Sequence, residues 1–235
     1  RGDGPVRTLV SDVTNRGHVR AYAGFDQDAV KKLARRKKDL AHNYYHLLGE
    51  GGHMALTVDQ GSNTERYQGL VSLSGVSIVD SVLHYFEQSE QIRTGFKLAV
   101  HPQDGQWRAG AIMIQHMPGH EKGDRDTEKE DEDWNRTSIL LKSCTEGELV
   151  TPNLHSTDLL FRLFHEDGIR VYPATPVRHV CRCSREKVVN IIRTLSKEEM
   201  NDICRKEGHV SVVCEFCSRE YVFNDRELEE VFENP

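Results

Sequence analysis

Apolar and polar residues alternate through most of the first 117 positions. Period-two runs broken by glycine cover residues 8–13, 19–23, 54–58, 67–73, 96–100 and 107–117, so about six strands, each with one buried face, are expected. One helix interrupts them, where Val79, Val82, Leu83 and Phe86 recur at helical spacing behind Ser77, a good capping side chain. A second helix, over residues 28–40, has a sparse apolar face of Val30, Leu33, Leu40 and Tyr44. Strands with segregated helices predict an α+β domain with an antiparallel sheet over residues 1–118.

The pattern then breaks. From Glu121 to Asp133 there are eight acidic and three basic side chains and no aliphatic one. Burial cannot offset the entropy of ordering such a stretch, and a linker or mobile loop is expected. Helical spacing returns over residues 135–143 and 156–165, the latter with Leu159, Leu160, Leu163 and Phe164 and a stop before Gly168. Residues 119–176 therefore read as an acidic stretch plus a helical linker. Residues 177–235 read strand, helix, helix, strand turn, helix, with Ser196 and Glu199, then Asn224 and Glu227, at capping-box spacing. This last segment has few large apolar side chains and needs a staple to be stable by itself.

Cysteine supplies one. Four of the six cysteines form Cys181-x-Cys183 and, after 30 intervening residues, Cys214-x-x-Cys217. Two short chelating pairs offer the four soft donors of a tetrahedral zinc site, and Cys214 to Cys217, between Val212-Val213 and Tyr221-Val222-Phe223, has the outline of a zinc knuckle on a hairpin. One zinc per reduced chain, held by Cys181, Cys183, Cys214 and Cys217, is expected. The plain use is a structural staple. Permanent disulfides are opposed by the absence of a secretory signal, which points to a reducing cytoplasm. A third use is a switch, because paired thiolates lie within disulfide reach and an oxidant can close both pairs and expel the metal. Spacing alone does not choose between staple and switch. Cys144 and Cys204 fall outside this pattern and are read as buried or incidental thiols.

Charge narrows the partners. The net charge is -6, with +2 on the first 118 residues and -8 on the rest. The zinc segment is acidic, carrying Glu215, Glu220, Glu227, Glu229, Glu230 and Glu233, which opposes nucleic acid and weakens the alternative of a zinc ribbon with a purely structural zinc that binds nucleic acid or a protein. The basic run from Lys31 to Lys38 holds six Lys or Arg in eight residues and is read as a solvated helix face or loop rather than a binding patch. No run approaches the roughly 18 apolar residues of a membrane span, so no membrane partner is expected. No catalytic residue is expected either. The twelve histidines include no pairing with an acid or nucleophile at a recognised spacing, and there is no Gly-rich phosphate loop for ATP.

Several stretches taken together resemble the heat shock protein 33 family, a family of redox-regulated chaperonins. They are Gly2-Asp3-Gly4-Pro5; Arg66 through Val71 with Leu73 and Gly75; Tyr85-Phe86 with Ser89-Glu90-Gln91; Ala109-Gly110 with Gln115 through Pro118; Leu163 through Glu166; Cys181 through Glu186; and Cys214 through Cys217 with Tyr221 through Asn224. They cover nearly the whole chain in order. The resemblance implies an ATP-independent holdase, not an enzyme, that is zinc-bound and idle when reduced. Oxidation would form disulfides among Cys181, Cys183 and Cys214, Cys217, release zinc, unfold the C-terminal domain and linker, and expose surface to unfolding client proteins, with a homodimer as the oxidised form. It also implies that the several tens of residues preceding Gly-Asp-Gly-Pro in the family, a first helix and strand, are missing from this chain. The segment from Asp26 to Gly49 is longer than the usual connection at that place.

Overall fold

The structure is a computed structural model that describes residues 1–36, 44–61, 64–117 and 127–233. The chain groups into two units, Arg1–Arg7 with Phe25–Pro173, and Thr8–Gly24 with Ala174–Pro235. It opens with a hairpin of β1 (Val6–Val13) and β2 (His18–Phe25), most of which belongs to the second unit.

The first unit continues with α1 (Gln27–Arg36), α2 (Tyr45–Leu48), β3 (His53–Val58), β4 (Tyr67–Ser72) and α3 (Ile78–Tyr85), which ends in a π-helical turn over Phe86–Glu90. Then come β5 (Thr94–Gln103), β6 (Gln106–Gln115), α4 (Thr127–Ser143), α5 (Glu146–Val150) and α6 (Ser156–Phe164). The six strands expected from the alternation are β1 to β6. Both hairpins of this unit are antiparallel, with His53 opposite Ser72 in one and Thr94 opposite Gln115 in the other. Ser77 caps α3 as expected, and Asp80 completes a capping box by accepting from the Ser77 backbone N–H at 2.9 Å. The Tyr44 hydroxyl meets the fully buried Ser81 hydroxyl at 2.9 Å and the Ser74 carbonyl at 3.0 Å, so these buried polar groups are satisfied.

One face of the β5–β6 hairpin carries the main core of this unit. Lys97 lies opposite Ile112, and Ala99 opposite Gly110. Against that face Ile112, Leu141, Cys144, Leu159 and Leu163 form a buried cluster that joins β6, α4 and α6. A side chain at Gly110 would run into the Leu149 carbonyl, so glycine is what lets α5 come this close. The Lys97 ammonium donates to the carbonyls of Lys142 and Cys144, a cation placed where the C-terminus of α4 leaves acceptors unpaired. Leu98, Val100 and Met113, on the other face of the hairpin, are exposed.

Two expectations change here. The acidic stretch is not loop throughout, since residues 127–133 are the first turns of α4. Glu128 and Glu130 sit in its first turn, where carboxylates are favoured by the helix dipole, and Arg93 pairs with Asp131. A helix can thus form without aliphatic burial when its charges are correctly placed. The helix expected over residues 28–40 is α1, and its continuation to Leu40, with Lys37 and Lys38 of the basic run, lies outside the described residues. So do residues 121–126 of the acidic stretch.

The second unit adds β7 (Arg178–His179), α7 (Arg185–Ile192), α8 (Lys197–Glu207), β8 (Val210–Val213), β9 (Glu220–Phe223) and α9 (Asp225–Glu233). Strand order in its larger sheet is β1-β2-β7, with β7 parallel to β2. β8 and β9 form a separate antiparallel hairpin. Val188, Ile192, Met200, Cys204, Val210, Tyr221, Phe223, Leu228 and Val231 make a continuous apolar core. Asn224 and Glu227 form the expected reciprocal cap of α9. At α8, Ser196 accepts from the Glu199 backbone N–H, but its hydroxyl bonds the Glu198 carboxylate and no return bond from Glu199 is described.

Candidate metal centre

The chain reaches the cysteines along a defined route. Arg178 N–H donates to the Gly17 carbonyl at 2.9 Å and Val180 N–H to the Val19 carbonyl at 3.1 Å, so pairing with β2 ends one residue before Cys181. Directly after Cys183, Ser184 caps α7 by accepting from the Lys187 backbone N–H. The second pair sits in the loop between β8 and β9. There Ser218 N–H donates to the Cys214 carbonyl at 2.7 Å and Cys214 N–H to the Arg219 carbonyl at 2.9 Å, which folds the knuckle into a tight turn with Ser218 in the left-handed region.

These two routes bring the four sulfurs of Cys181, Cys183, Cys214 and Cys217 within 4.8 Å of one another. Across the two pairs, Cys181 Sγ lies 3.7 Å from Cys214 Sγ and Cys183 Sγ 3.5 Å from Cys217 Sγ. A tetrahedral zinc with bonds of about 2.3 Å requires sulfurs about 3.8 Å apart, so donor type and spacing both fit. The Tyr221 hydroxyl donates to Cys183 Sγ at 3.1 Å. A donor to a ligand sulfur stabilises its thiolate and fixes its orientation.

The sulfurs also interact with one another. The Cys183 backbone N–H favours the Cys181 thiolate and, with neighbouring thiols as donors, brings that group down to about 6 against the desolvation that opposes it. The Arg219 backbone N–H favours a Cys217 thiolate, yet burial and the other three sulfurs push Cys217 up to about 12. Four negative charges do not gather in so small a space unaided. A dication makes full deprotonation favourable.

Around the cluster lies a group of residues that sequence reasoning did not single out. Asp12 on β1 accepts from Arg20 at 2.8 Å and from Arg182, the residue between the first two cysteines, at 2.7 Å. Desolvation opposes ionisation of Asp12, but these two guanidinium groups hold its carboxyl below the usual range. The Arg20 guanidinium stacks over the Phe216 ring at 4.0 Å, and the Tyr22 hydroxyl donates to Glu215 at 3.2 Å. Phe216 and Glu215 are the two residues inside Cys214-x-x-Cys217. The only available signal was the alternation that puts Arg20 and Tyr22 on one face of β2, and alternation does not say what that face meets.

Cys144 and Cys204 are elsewhere, each buried in a core, and burial raises both thiols above their ordinary value. Neither is brought to the cluster. Of the histidines, His165 bonds the Phe161 carbonyl at the end of α6 and His116 lies edge-on to Trp134, both positions that packing and capping explain.

Comparison with known proteins settles the lineage. A family model described as Hsp33 protein matches residues 1–224. The chain belongs to the Hsp33 family. A 33 kDa chaperonin of Caulobacter vibrioides is 36% identical over 225 residues, spanning 94% of this chain and 72% of the relative. That of Nitrosococcus oceani is 34% identical over 236 residues, spanning 99% of this chain and 72% of the relative. The crystal structure of the Thermotoga maritima 33 kDa chaperonin superposes with a TM-score of 0.74 at 27% identity, covering 99% of this chain and 75% of that one. Hsp33 proteins are redox-regulated chaperones rather than enzymes, and the four-cysteine cluster fits a redox switch. Among the described residues no helix is long and apolar enough to cross a membrane.

Proposed function

We propose that this protein is an ATP-independent holdase of the cytoplasm, idle when reduced and switched on by oxidation. In the reduced state Cys181, Cys183, Cys214 and Cys217 hold one zinc ion. When bound, that ion supplies the positive charge that keeps four thiolates together. Each hydrogen peroxide takes two electrons from a pair of these thiolates and two protons from solvent, forming one S–S bond and two waters. Two peroxides thus convert Cys181 with Cys183, and Cys214 with Cys217, into disulfides and leave no thiolate for the metal.

Residues 177–235 then lose their staple and unfold, and residues 119–176, the acidic stretch and helical linker, follow. The 1–118 domain persists and the oxidised form dimerises. What loosens has an apolar face to offer: Leu159 and Leu163 cover Ile112, and parting them uncovers both surfaces to unfolding clients. Neither nucleic acid nor a membrane is a partner.

The observation that carries this reading is the convergence of four thiols in a chain of the Hsp33 family. Zinc release and free thiols are to be counted before and after peroxide, beside light scattering of a heat-unfolding client. One zinc and no protection before oxidation, then no zinc and full protection after it, is the expected result. Equal protection by the reduced protein would make the centre a simple staple.

A further inference from the structure

The hairpin at Thr8–Gly24 meets the residues around the cysteines through Asp12, Arg20 and Tyr22. The Gly17 carbonyl and the backbone groups of Val19, Ala21 and Ala23 face one side of β2, since alternate residues of a strand point their N–H and C=O the same way and the His18 carbonyl accepts from Thr14 on the β1 side. On the free side an extended segment is already seated. That segment is β7, parallel to β2, with His18 opposite Arg178 and Val19 opposite His179.

β7 has little hold of its own. It is two residues long and both are exposed, too short a pairing to persist by itself. Its anchors lie downstream. Cys181 follows Val180 directly, Arg182 is tied to Asp12, and the knuckle residues Phe216 and Glu215 are tied to Arg20 and Tyr22. If the four sulfurs scatter, all of these would part from the β1–β2 hairpin together. β2 also lacks two of the usual edge protections: His18–Phe25 contains no proline and no lysine, and Ala21, Ala23 and Phe25 are exposed.

We propose that the β7-side edge of β2 is a redox-gated binding edge: β7 fills its His18–Val19 end while the metal centre is intact, leaving Ala21 and Ala23 too short a run to seat a strand, and an extended segment of unfolded polypeptide takes the whole edge once β7 is lost. The partner is defined by backbone chemistry. It is any chain able to present unpaired N–H and C=O groups over several residues, with apolar or β-branched side chains at alternate positions, and it adds to the sheet as a strand. This rests on the holdase reading and names a place where that activity acts.

The test uses the full chain, reduced and peroxide-oxidised, with reduced and carboxymethylated α-lactalbumin as a permanently unfolded partner without thiols. Benzoylphenylalanine is placed at Ala23, with Thr57 on β3 as a control position. The Ala23 probe is expected to cross-link to the partner in the oxidised protein and not in the reduced one, and the Thr57 probe in neither. A second variant, Ala21→Pro, removes an edge N–H without touching the β1–β2 ladder. It should weaken partner binding by the oxidised form about five-fold, the worth of one hydrogen bond, and leave zinc release unchanged. Metal content of reduced Ala21→Pro reports whether it folds, and the Ala23 cross-link decides the matter if it does not. Partner capture by the oxidised protein with no cross-link at Ala23, or equal cross-linking in both states, overturns the edge and leaves the holdase reading standing. Absence of any capture after zinc release removes both.

Discussion

The two buried clusters of this protein are held by different means. In the second unit nine side chains from α7, α8, α9 and the β8–β9 hairpin share one core, and the cysteines attach the loops that leave it. In the first unit the layer of α4, α5 and α6 rests on β5 and β6 through five buried side chains. Around that cluster lie charged pairs that are at least partly exposed: Arg93 with Asp131, and Arg162 with Glu148. Pairs of this kind contribute about 0–1 kcal/mol each and weaken with salt. Ile139 and Phe161 are exposed on the same helices. The helical layer is therefore the more loosely held of the two cores, whereas the second unit gathers four cysteines at one point.

Removing a ligand breaks the comparison at its strongest point. Cys214→Ser should abolish stoichiometric zinc, forfeiting metal-linked folding free energy on the order of 10 kcal/mol, with loss of near-UV dichroism and of exchange protection in residues 177–235. Cys144→Ser and Cys204→Ser should keep a full equivalent of zinc by metal analysis, although each disturbs a core. Next in size is Leu163→Ala, which opens the helical layer without touching the sulfurs and should cost about 2–5 kcal/mol. Its thermal transition should fall with zinc content unchanged, and the reduced protein should begin to suppress client aggregation. Hydrogen exchange through residues 135–165 that stays at native levels would show that the layer does not depend on this core.

Smaller effects sharpen the picture of the centre. In metal-free reduced protein, Cys181, held at about 6, is a thiolate at neutral pH, while Cys217, pushed up to about 12, remains a thiol. Because only the thiolate is nucleophilic, iodoacetamide should modify Cys181 first, its rate rising as pH passes through the region of 6 and levelling above it, with Cys217 last. Peptide mapping of the alkylated protein checks the order. The mildest change is Tyr221→Phe, which deletes the hydroxyl bond to Cys183 and should speed zinc loss to a competing chelator a few-fold with the fold intact.

Much of this was written in local pattern. The six strands follow from period two, α3 and its Ser77 cap from the apolar spacing behind a serine, and the α9 box from Asn224 and Glu227. The candidate ligands stood out because two chelating pairs are short-range features that need no knowledge of the fold. Other features depended on contacts no local pattern contains. The start of α4 inside the acidic stretch rests on charge placed at a helix end and on Arg93, more than thirty residues upstream. Residues 8–24 alternate just like the strands that follow them, yet they group with residues 174–235. Alternation reports that a strand has two faces, and only the tertiary structure supplies their neighbours. That is why the cysteines could be named from sequence, whereas Asp12, Arg20 and Tyr22, which brace their surroundings from some 170 to 200 residues away, could not.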